Sequence, residues 1–219
     1  MFDYLASSIA FAHVSLEEAC ARVAALGLKR IDLWFVSGMC EHLPPNATRL
    51  DLPRIRKALK DSGLACHALS VYGASHEVTL ARLEQLAELG GKVLVRDSQT
   101  GAKDAPQDVV ERLLPFLKHA EQLGVVYAPE NHWATAFDSI AQMLYVIEAL
   151  PSKHLGVAYG PSTRTRERNI RRMPFMRWAR VSRFTMPGIG ALRRQDIGRT
   201  PPISCPARAC WISPPCSAR

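Results

Sequence analysis

The stretch VVYAPENHW at residues 125–133 joins an apolar run to a carboxylate, an amide, an imidazole and an aromatic ring. Such a run is typical of a buried strand, and it places Glu130, Asn131 and His132 at the strand's carboxyl end. A second apolar run, LGVAYGPST at residues 155–163, ends without any ionisable side chain. The amphipathic residues between the two runs predict a helix, so the runs predict consecutive strands of one sheet.

Upstream of this stretch, apolar runs alternate with amphipathic segments. The first helix is predicted to begin at a capping box formed by Ser15 and Glu18, and glycines such as Gly27 and Gly124 mark predicted helix ends. Five helices are predicted in this way, between six predicted strands at residues 7–11, 29–35, 64–72, 92–96, 125–130 and 155–159. Strict alternation favours a parallel sheet covered by helices, either a doubly wound open sheet or a (β/α)8 barrel.

The loop after the first predicted strand favours the barrel. A dinucleotide-binding open sheet carries GxGxxG there, whereas residues 12–18 read AHVSLEE and contain no glycine. A barrel gathers polar residues at the carboxyl ends of several strands on one face. Such ends are found here at His13, Trp34, Tyr72, Asp97 and Glu130. The sequence therefore predicts a TIM barrel that is incomplete at about six βα units, because a full barrel takes about 250 residues.

Composition bounds the class of protein. The chain has 219 residues, of which 47% are apolar, and this is enough for one sizeable domain. The sequence contains no apolar run long enough to span a membrane, and its start lacks a basic region typical of signal peptides, so we expect a cytoplasmic protein. Six cysteines form no CxxC pair, which argues against a zinc ribbon or a thioredoxin-type site.

Charge divides the chain into two predicted domains. Residues 1–161 carry 15 Lys and Arg against 18 Asp and Glu, whereas residues 162–219 carry 13 arginines, no lysine and 2 acidic residues. We expect the barrel in the first part, and an irregular arginine- and proline-rich tail in the second. The tail is interpreted as a disordered basic segment, an unusual domain or, preferably, a stretch translated out of frame. Translating the coding DNA in all three frames tests the last hypothesis.

Several residues at predicted strand ends are candidates for chemistry. Glu130 is suited to bind a divalent cation or to move a proton beside a carbonyl. Asn131 and His132 can donate to and accept from a hydroxyl-rich ligand. Trp34 can stack on a sugar face, and His42 lies in the long loop GMCEHLPP that follows the second strand. Asp32 lies two residues before Trp34 and therefore points to the same side of the strand, which makes it a weaker candidate.

Together these residues resemble the sugar phosphate isomerase/epimerase family, the xylose isomerase-like TIM barrels that also include the type IV apurinic endonucleases. The resemblance covers residues 5–160. It rests on ASSIAF, SLEEACARVAALGLKRIDLW, EHLPP, SVYG and above all APENH with HLGVAYGP. It implies a divalent metal ion (Mn, Mg, Co or Zn) held by a glutamate of strand five, an aspartate of strand six, a histidine or glutamine of strand seven and a glutamate of strand eight. It also implies proton transfer through an enediolate, giving isomerisation or epimerisation of a small sugar or sugar phosphate.

By this resemblance Glu130 is the strand-five glutamate, a metal ligand and catalytic residue, and His42 is the loop histidine near the substrate. The strand-six motif departs from the family, because Gly160 stands where the aspartate belongs and Thr163 stands where a histidine belongs. The ligands of strands seven and eight have no counterpart. Since a catalytic metal typically needs about three protein ligands, we expect an incomplete metal site and impaired turnover.

Two other functions stay open at this point. A type IV apurinic endonuclease-like metalloenzyme needs a three-zinc site with several histidines, and the chain has seven histidines with few at strand ends. A non-enzymatic binder would use the basic tail on nucleic acid, with affinity that falls steeply with salt. The expected partner is a small sugar or sugar phosphate, and a homo-oligomer is compatible with this function. No membrane partner is expected, and nucleic acid is expected only if the tail is genuine.

Overall fold

The computed structural model describes residues 4–44, 47–101 and 103–160. The tail predicted at residues 162–219 lies outside the described residues. No helix in the described ranges is long and apolar enough to cross a membrane.

The described residues form a parallel sheet with helices between its strands. A short 3-10 helix at Ser8–Phe11 follows the first strand. The strands are β1 (Ala6–Ser7), β2 (Arg30–Val36), β3 (Cys40–Glu41), β4 (Ala65–Val71), β5 (Val93–Asp97) and β6 (Val126–Glu130). The helices are α1 (Leu16–Ala25), α2 (Leu52–Asp61), α3 (His76–Glu88), α4 (Pro106–Leu123) and α5 (Ile140–Ala149). The predicted fold class is confirmed, since this is a TIM-barrel arrangement of five or six βα units.

The strands lie in the order β1-β2-β4-β5-β6, and every neighbouring pair is parallel. The small strand β3 was not predicted, and it pairs antiparallel with the end of β2. The register of β2 against β4 shifts between Ile31 and Asp32, whose partners are Cys66 and Ala68, so His67 is the extra residue of a bulge. At the other edge Asp97 lies directly opposite Glu130.

The strand predicted at residues 7–11 is wrong beyond Ser7. The chain turns into the 3-10 helix at Ser8, and the buried Ser8 hydroxyl accepts a 2.9 Å hydrogen bond from the Trp34 backbone N–H. A side-chain oxygen thus satisfies a donor that a longer β1 would have bonded through its backbone.

The strand predicted at residues 155–159 is present only as two parallel bridges, Tyr127 with Leu155 and Glu130 with Ala158. The Tyr127 N–H donates to the His154 carbonyl, and the Asn131 N–H donates to the Ala158 carbonyl. In a regular parallel ladder the residue between them, at position 129, would donate as well. Pro129 has no amide hydrogen, so this one bond cannot form and the ladder is interrupted.

Alternation along the strands gives the sheet two different faces. One face carries the main hydrophobic core, in which Leu33, Leu69, Leu94 and Tyr127 are fully buried against the helices. The inner face of the barrel carries a second, smaller cluster of Ala68, Val93, Val95, Ala128 and Ala158. Continuing the same alternation toward the carboxyl ends of the strands brings polar and aromatic side chains onto the inner face.

Candidate active site

Glu130 and Tyr72 are in direct contact at the carboxyl ends of their strands. Glu130 is the last residue of β6, and Tyr72 directly follows β4. The Tyr72 hydroxyl donates a hydrogen bond to the Glu130 carboxylate Oε2, although the two residues are 58 positions apart in sequence. Burial raises the pKa of Tyr72, and the Glu130 charge raises it further. Tyr72 therefore keeps its proton at neutral pH and acts as the donor of this bond.

Trp34 completes an aromatic pair beside this contact. Its ring stacks on that of Tyr72 with a centroid distance of 4.8 Å and an interplanar angle of 22°. The indole Nε1–H donates to the Asp32 carboxylate Oδ2 at 2.5 Å. The Ser70 hydroxyl lies 2.9 Å from both oxygens of the same carboxylate. Asp32, Trp34, Ser70 and Tyr72 thus form one connected group on the inner face.

Asp97 is a second carboxylate beside Glu130. Its Oδ2 accepts a 3.1 Å hydrogen bond from the Gly73 N–H, and its Oδ1 lies 3.7 Å from the Nε of Arg96. Arg96 itself is fully buried on the other side of the strand, where it donates to the Ala74 carbonyl and lies 5.0 Å from the centre of the Phe116 ring.

Burial raises the pKa of two carboxyls in this group. Burial raises the pKa of Glu130, and the negative charge of Asp97 adds to this effect, while the bond from Tyr72 and the charge of His132 oppose it. Burial also raises the pKa of Asp32 to about 6, against the lowering effect of its hydrogen bonds. A carboxylate with a raised pKa is better suited to accept a proton from carbon and to give it back near neutral pH.

Asn131 has a scaffold contact in addition to the ligand-binding role predicted for it. The residue is fully buried, its Oδ1 accepts from the Gly160 N–H at 2.7 Å, and its Nδ2 donates to the Gly160 carbonyl at 3.2 Å. The amide therefore ties the end of β6 to the segment that follows α5.

The two predicted histidines lie in different surroundings. His42 is 8% exposed, its Nε2 is 3.0 Å from the Val14 carbonyl, and its Nδ1 is 3.4 Å from the Cys40 Sγ. Because the carbonyl only accepts, Nε2 carries the proton, and Nδ1 faces the Cys40 thiol, whose Sγ also lies 3.9 Å from the Trp34 carbonyl. His132 is exposed, and its Nδ1 lies 3.1 Å from the carbonyl of Trp133.

The structure brings Trp34 and Glu130 together through Tyr72, and it joins Asp32 to the same group. The sequence placed Tyr72 and Asp97 at strand ends without assigning either a specific role, and Ser70 is the residue that sequence reasoning missed. The available signal was the two-residue period of β4, which places Ser70 and Tyr72 on one face. That period does not reveal which side chain of another strand lies opposite.

The sequence was compared with models of known protein families. Residues 20–162 match the family described as "Xylose isomerase-like TIM barrel". This chain belongs to the xylose isomerase-like TIM barrel family. Comparison with curated proteins returned no match.

Three solved structures illustrate the shared fold. One is a Bacillus anthracis protein described as a "probable 3-DHS dehydratase", with 22% identity, a TM-score of 0.54, and coverage of 72% of this chain and 62% of that one. Another is a xylose isomerase-like TIM barrel protein from Mycobacterium smegmatis in complex with magnesium, with 15% identity, a TM-score of 0.60, and coverage of 83% and 72%. The E. coli 3-keto-D-glucoside 4-epimerase YcjR has 14% identity, a TM-score of 0.61, and coverage of 83% and 76%. The chain thus spans about three fifths to three quarters of these proteins, and the likeness shows a shared fold.

The described residues do not complete a metal site. No group of three or more His, Cys, Asp and Glu side chains in residues 4–44, 47–101 and 103–160 is arranged to hold a metal ion. Glu130 and Asp97 are the carboxylates at neighbouring strand ends, and the position where the resemblance places an aspartate is Gly160. Since a catalytic metal typically needs about three protein ligands, these residues do not fit one by themselves.

Proposed function

We propose that this protein is a sugar-modifying enzyme of the isomerase or epimerase class, with Glu130 as the group that moves a proton beside a carbonyl. The observation that carries the proposal is the Glu130 carboxylate at the end of β6, bonded to Tyr72 and next to a stacked aromatic pair. A half-buried carboxylate with a raised pKa can take such a proton, and flat aromatic faces suit the apolar face of a sugar ring.

Each residue has a separate task in the proposed reaction. Glu130 takes the proton from the carbon next to the carbonyl, so that the C–H bond breaks, a carboxylic O–H forms, and the electron pair moves to the carbonyl oxygen as an enediolate. Returning the proton to the former carbonyl carbon, while the proton of the adjacent hydroxyl passes to the former carbonyl oxygen, completes an isomerisation. Tyr72 holds the Glu130 carboxylate in one orientation, and Trp34 offers its face to the sugar. His132, exposed beside Glu130, is suited to bind hydroxyl groups, as Asn131 and His42 were also predicted to do.

We further propose that turnover by this chain is slow. Gly160 occupies the position at which the family resemblance places a second carboxylate, and glycine provides no side chain there. A divalent metal remains the expected cofactor, supported by the magnesium complex of the Mycobacterium smegmatis relative, but no step of the proposed reaction uses it. A cytoplasmic location and a small sugar substrate are part of the same proposal.

Solvent exchange at a sugar carbon tests this proposal directly. D-fructose is incubated with the full chain in D2O, and proton NMR follows the replacement of hydrogen by deuterium on the carbons beside the carbonyl. We expect slow exchange that depends on enzyme concentration. Glu130→Gln, which keeps the shape and removes the base, should lower the rate at least 100-fold, the range that general-base catalysis supplies. Exchange that continues unchanged in Glu130→Gln refutes the role given to this residue.

Tyr72→Phe is the matched comparison for this experiment. The substitution removes one hydroxyl and leaves the aromatic stack, so we expect a smaller loss of exchange, about 10-fold for one hydrogen bond to a charged group. Equal losses in the two variants would contradict the separate roles of base and orienting group.

A further inference from the structure

We infer that Asp32 is a positioning residue, whose buried carboxylate fixes the Trp34 indole in the orientation that stacks on Tyr72. The inference deepens the proposed function, on which its ligand readout rests, and the geometric readout is independent of it. It assigns a task to a buried residue in the interior of the barrel.

The contacts of Asp32 define the orientation of the indole ring. The carboxylate is 1% exposed, and its Oδ2 accepts the Trp34 Nε1–H at 2.5 Å. The Ser70 hydroxyl approaches both oxygens at 2.9 Å, so Ser70 in turn fixes the carboxylate. An indole has two side-chain torsions, and a bond at Nε1 determines the second, which sets the plane of the ring.

The backbone of Trp34 is fixed as well. Its N–H donates to the Ser8 hydroxyl at 2.9 Å, where the 3-10 helix begins. The residue is thus held at its main chain by Ser8 and at the far end of its side chain by Asp32. The ring that results is nearly parallel to that of Tyr72, with an interplanar angle of 22°. The Tyr72 hydroxyl in turn donates to Glu130.

A carboxylate at this position is costly, which argues that it serves orientation. The neighbouring inner-face residues Ala68, Val93 and Val95 show that the interior can be filled with apolar side chains. A buried charge destabilises the folded chain unless its hydrogen bonds compensate. Asp32 accepts bonds from the Trp34 indole and from Ser70, and the Ser7 hydroxyl also lowers its pKa. Of these groups, Trp34 is the one that stacks on Tyr72.

A double-mutant cycle between Asp32 and Trp34 tests the inference in the full-length chain. The variants are Asp32→Leu, which fills the space without an acceptor, Asp32→Asn, which keeps an acceptor for the indole, and Trp34→Phe, which keeps a ring without an N–H. Each Asp32 variant is also made in the Trp34→Phe background. Near-ultraviolet circular dichroism reports the stacked aromatic pair, and titration with D-fructose reports ligand affinity.

We expect Asp32→Leu to lose the part of the near-ultraviolet spectrum that Trp34→Phe also loses, and to weaken D-fructose at least tenfold. Asp32→Asn should keep that spectrum and lose less than threefold in affinity. In the Trp34→Phe background Asp32→Leu should change neither quantity further. If Asp32→Leu does not fold, Asp32→Ala replaces it in the same cycle.

Two results would overturn the inference. One is a folded Asp32→Leu protein with the wild-type near-ultraviolet spectrum. The other is an effect of Asp32→Leu that is equally large with and without the Trp34 indole, since Asp32 would then act through space and not through Trp34. A wild-type chain that neither binds D-fructose nor exchanges its protons counts against the proposed function, and the spectra still decide the role of Asp32.

Discussion

Replacing Asp32 by asparagine is expected to stabilise the protein at neutral pH. The Asp32 carboxyl has a pKa of about 6 in the folded chain, against 3.8 without burial. At 1.36 kcal/mol per pKa unit, this difference costs the folded state about 3 kcal/mol at a pH above both values. Asparagine has nearly the same shape and carries no charge, so the variant avoids this cost.

The dependence on pH follows from the direction of the shift. Below pH 3.8 the carboxyl is protonated in both folded and unfolded chains, and it contributes no difference. Between pH 3.8 and 6 the unfolded chain ionises first, so the stability of the wild type falls as the pH rises. The advantage of Asp32→Asn should therefore be about 1.5 kcal/mol at pH 5 and about 3 kcal/mol at pH 7.5.

Neighbouring groups do not reverse this expectation. Cys40, Cys66 and Tyr72 all have raised pKa values, so they stay protonated over this range. The charge on Glu130 raises the pKa of Asp32, and that contribution is included in the value of about 6.

Urea unfolding at pH 5 and pH 7.5, followed by circular dichroism, measures both free energies. Asp61→Asn is the control, because Asp61 is exposed and pairs with Lys57 on the surface, where a salt bridge contributes about 0–1 kcal/mol. The reasoning is refuted if Asp32→Asn is no more stable than the wild type at pH 7.5. It is also refuted if the gain does not shrink toward pH 5.

Two further substitutions test individual contacts of the fold. Asn131→Ala should lower the free energy of unfolding, measured in urea, by about 2–4 kcal/mol, because it removes the amide that bonds the N–H and the carbonyl of Gly160. A loss under 1 kcal/mol would mean that these two hydrogen bonds contribute little to stability. Gly91→Ala should cost about 1–3 kcal/mol in the same assay, because a Cβ there would lie 2.2 Å from the Leu86 Cδ1. Gly101→Ala meets no atom within 4 Å and should be nearly neutral, so equal losses at the two glycines would contradict the steric explanation.

Much of the framework could be predicted from patterns that are local in sequence. The capping box at Ser15, the glycines at helix ends and the apolar runs predicted the helices and most strands. The same reasoning put Glu130 at a strand end and Asp32 on the same side as Trp34. Each of these inferences needs only residues within a few positions of one another, where covalent geometry alone fixes the relation.

The contacts of the site could not be predicted, because they join residues distant in sequence. Whether Tyr72 meets Glu130 depends on the registers of β4, β5 and β6. Whether Trp34 stacks on Tyr72 depends on the register of β2 and β4, which includes a bulge at His67 that no pattern marks. The predicted end of the first strand was wrong for a related reason, because the strand ends where the Ser8 hydroxyl accepts a hydrogen bond from the distant Trp34 N–H. The burial of His42 likewise depends on a carbonyl 28 positions away.

The bulge at His67 and the missing amide hydrogen of Pro129 have a common consequence for the curvature of the sheet. One lies beside the strand that carries Asp32, and the other lies on the strand that carries Glu130. A ladder that skips a residue or lacks a bond bends and twists more readily than a continuous one. The sheet can therefore bend more readily at β2 and at β6, the two strands that carry Asp32 and Glu130.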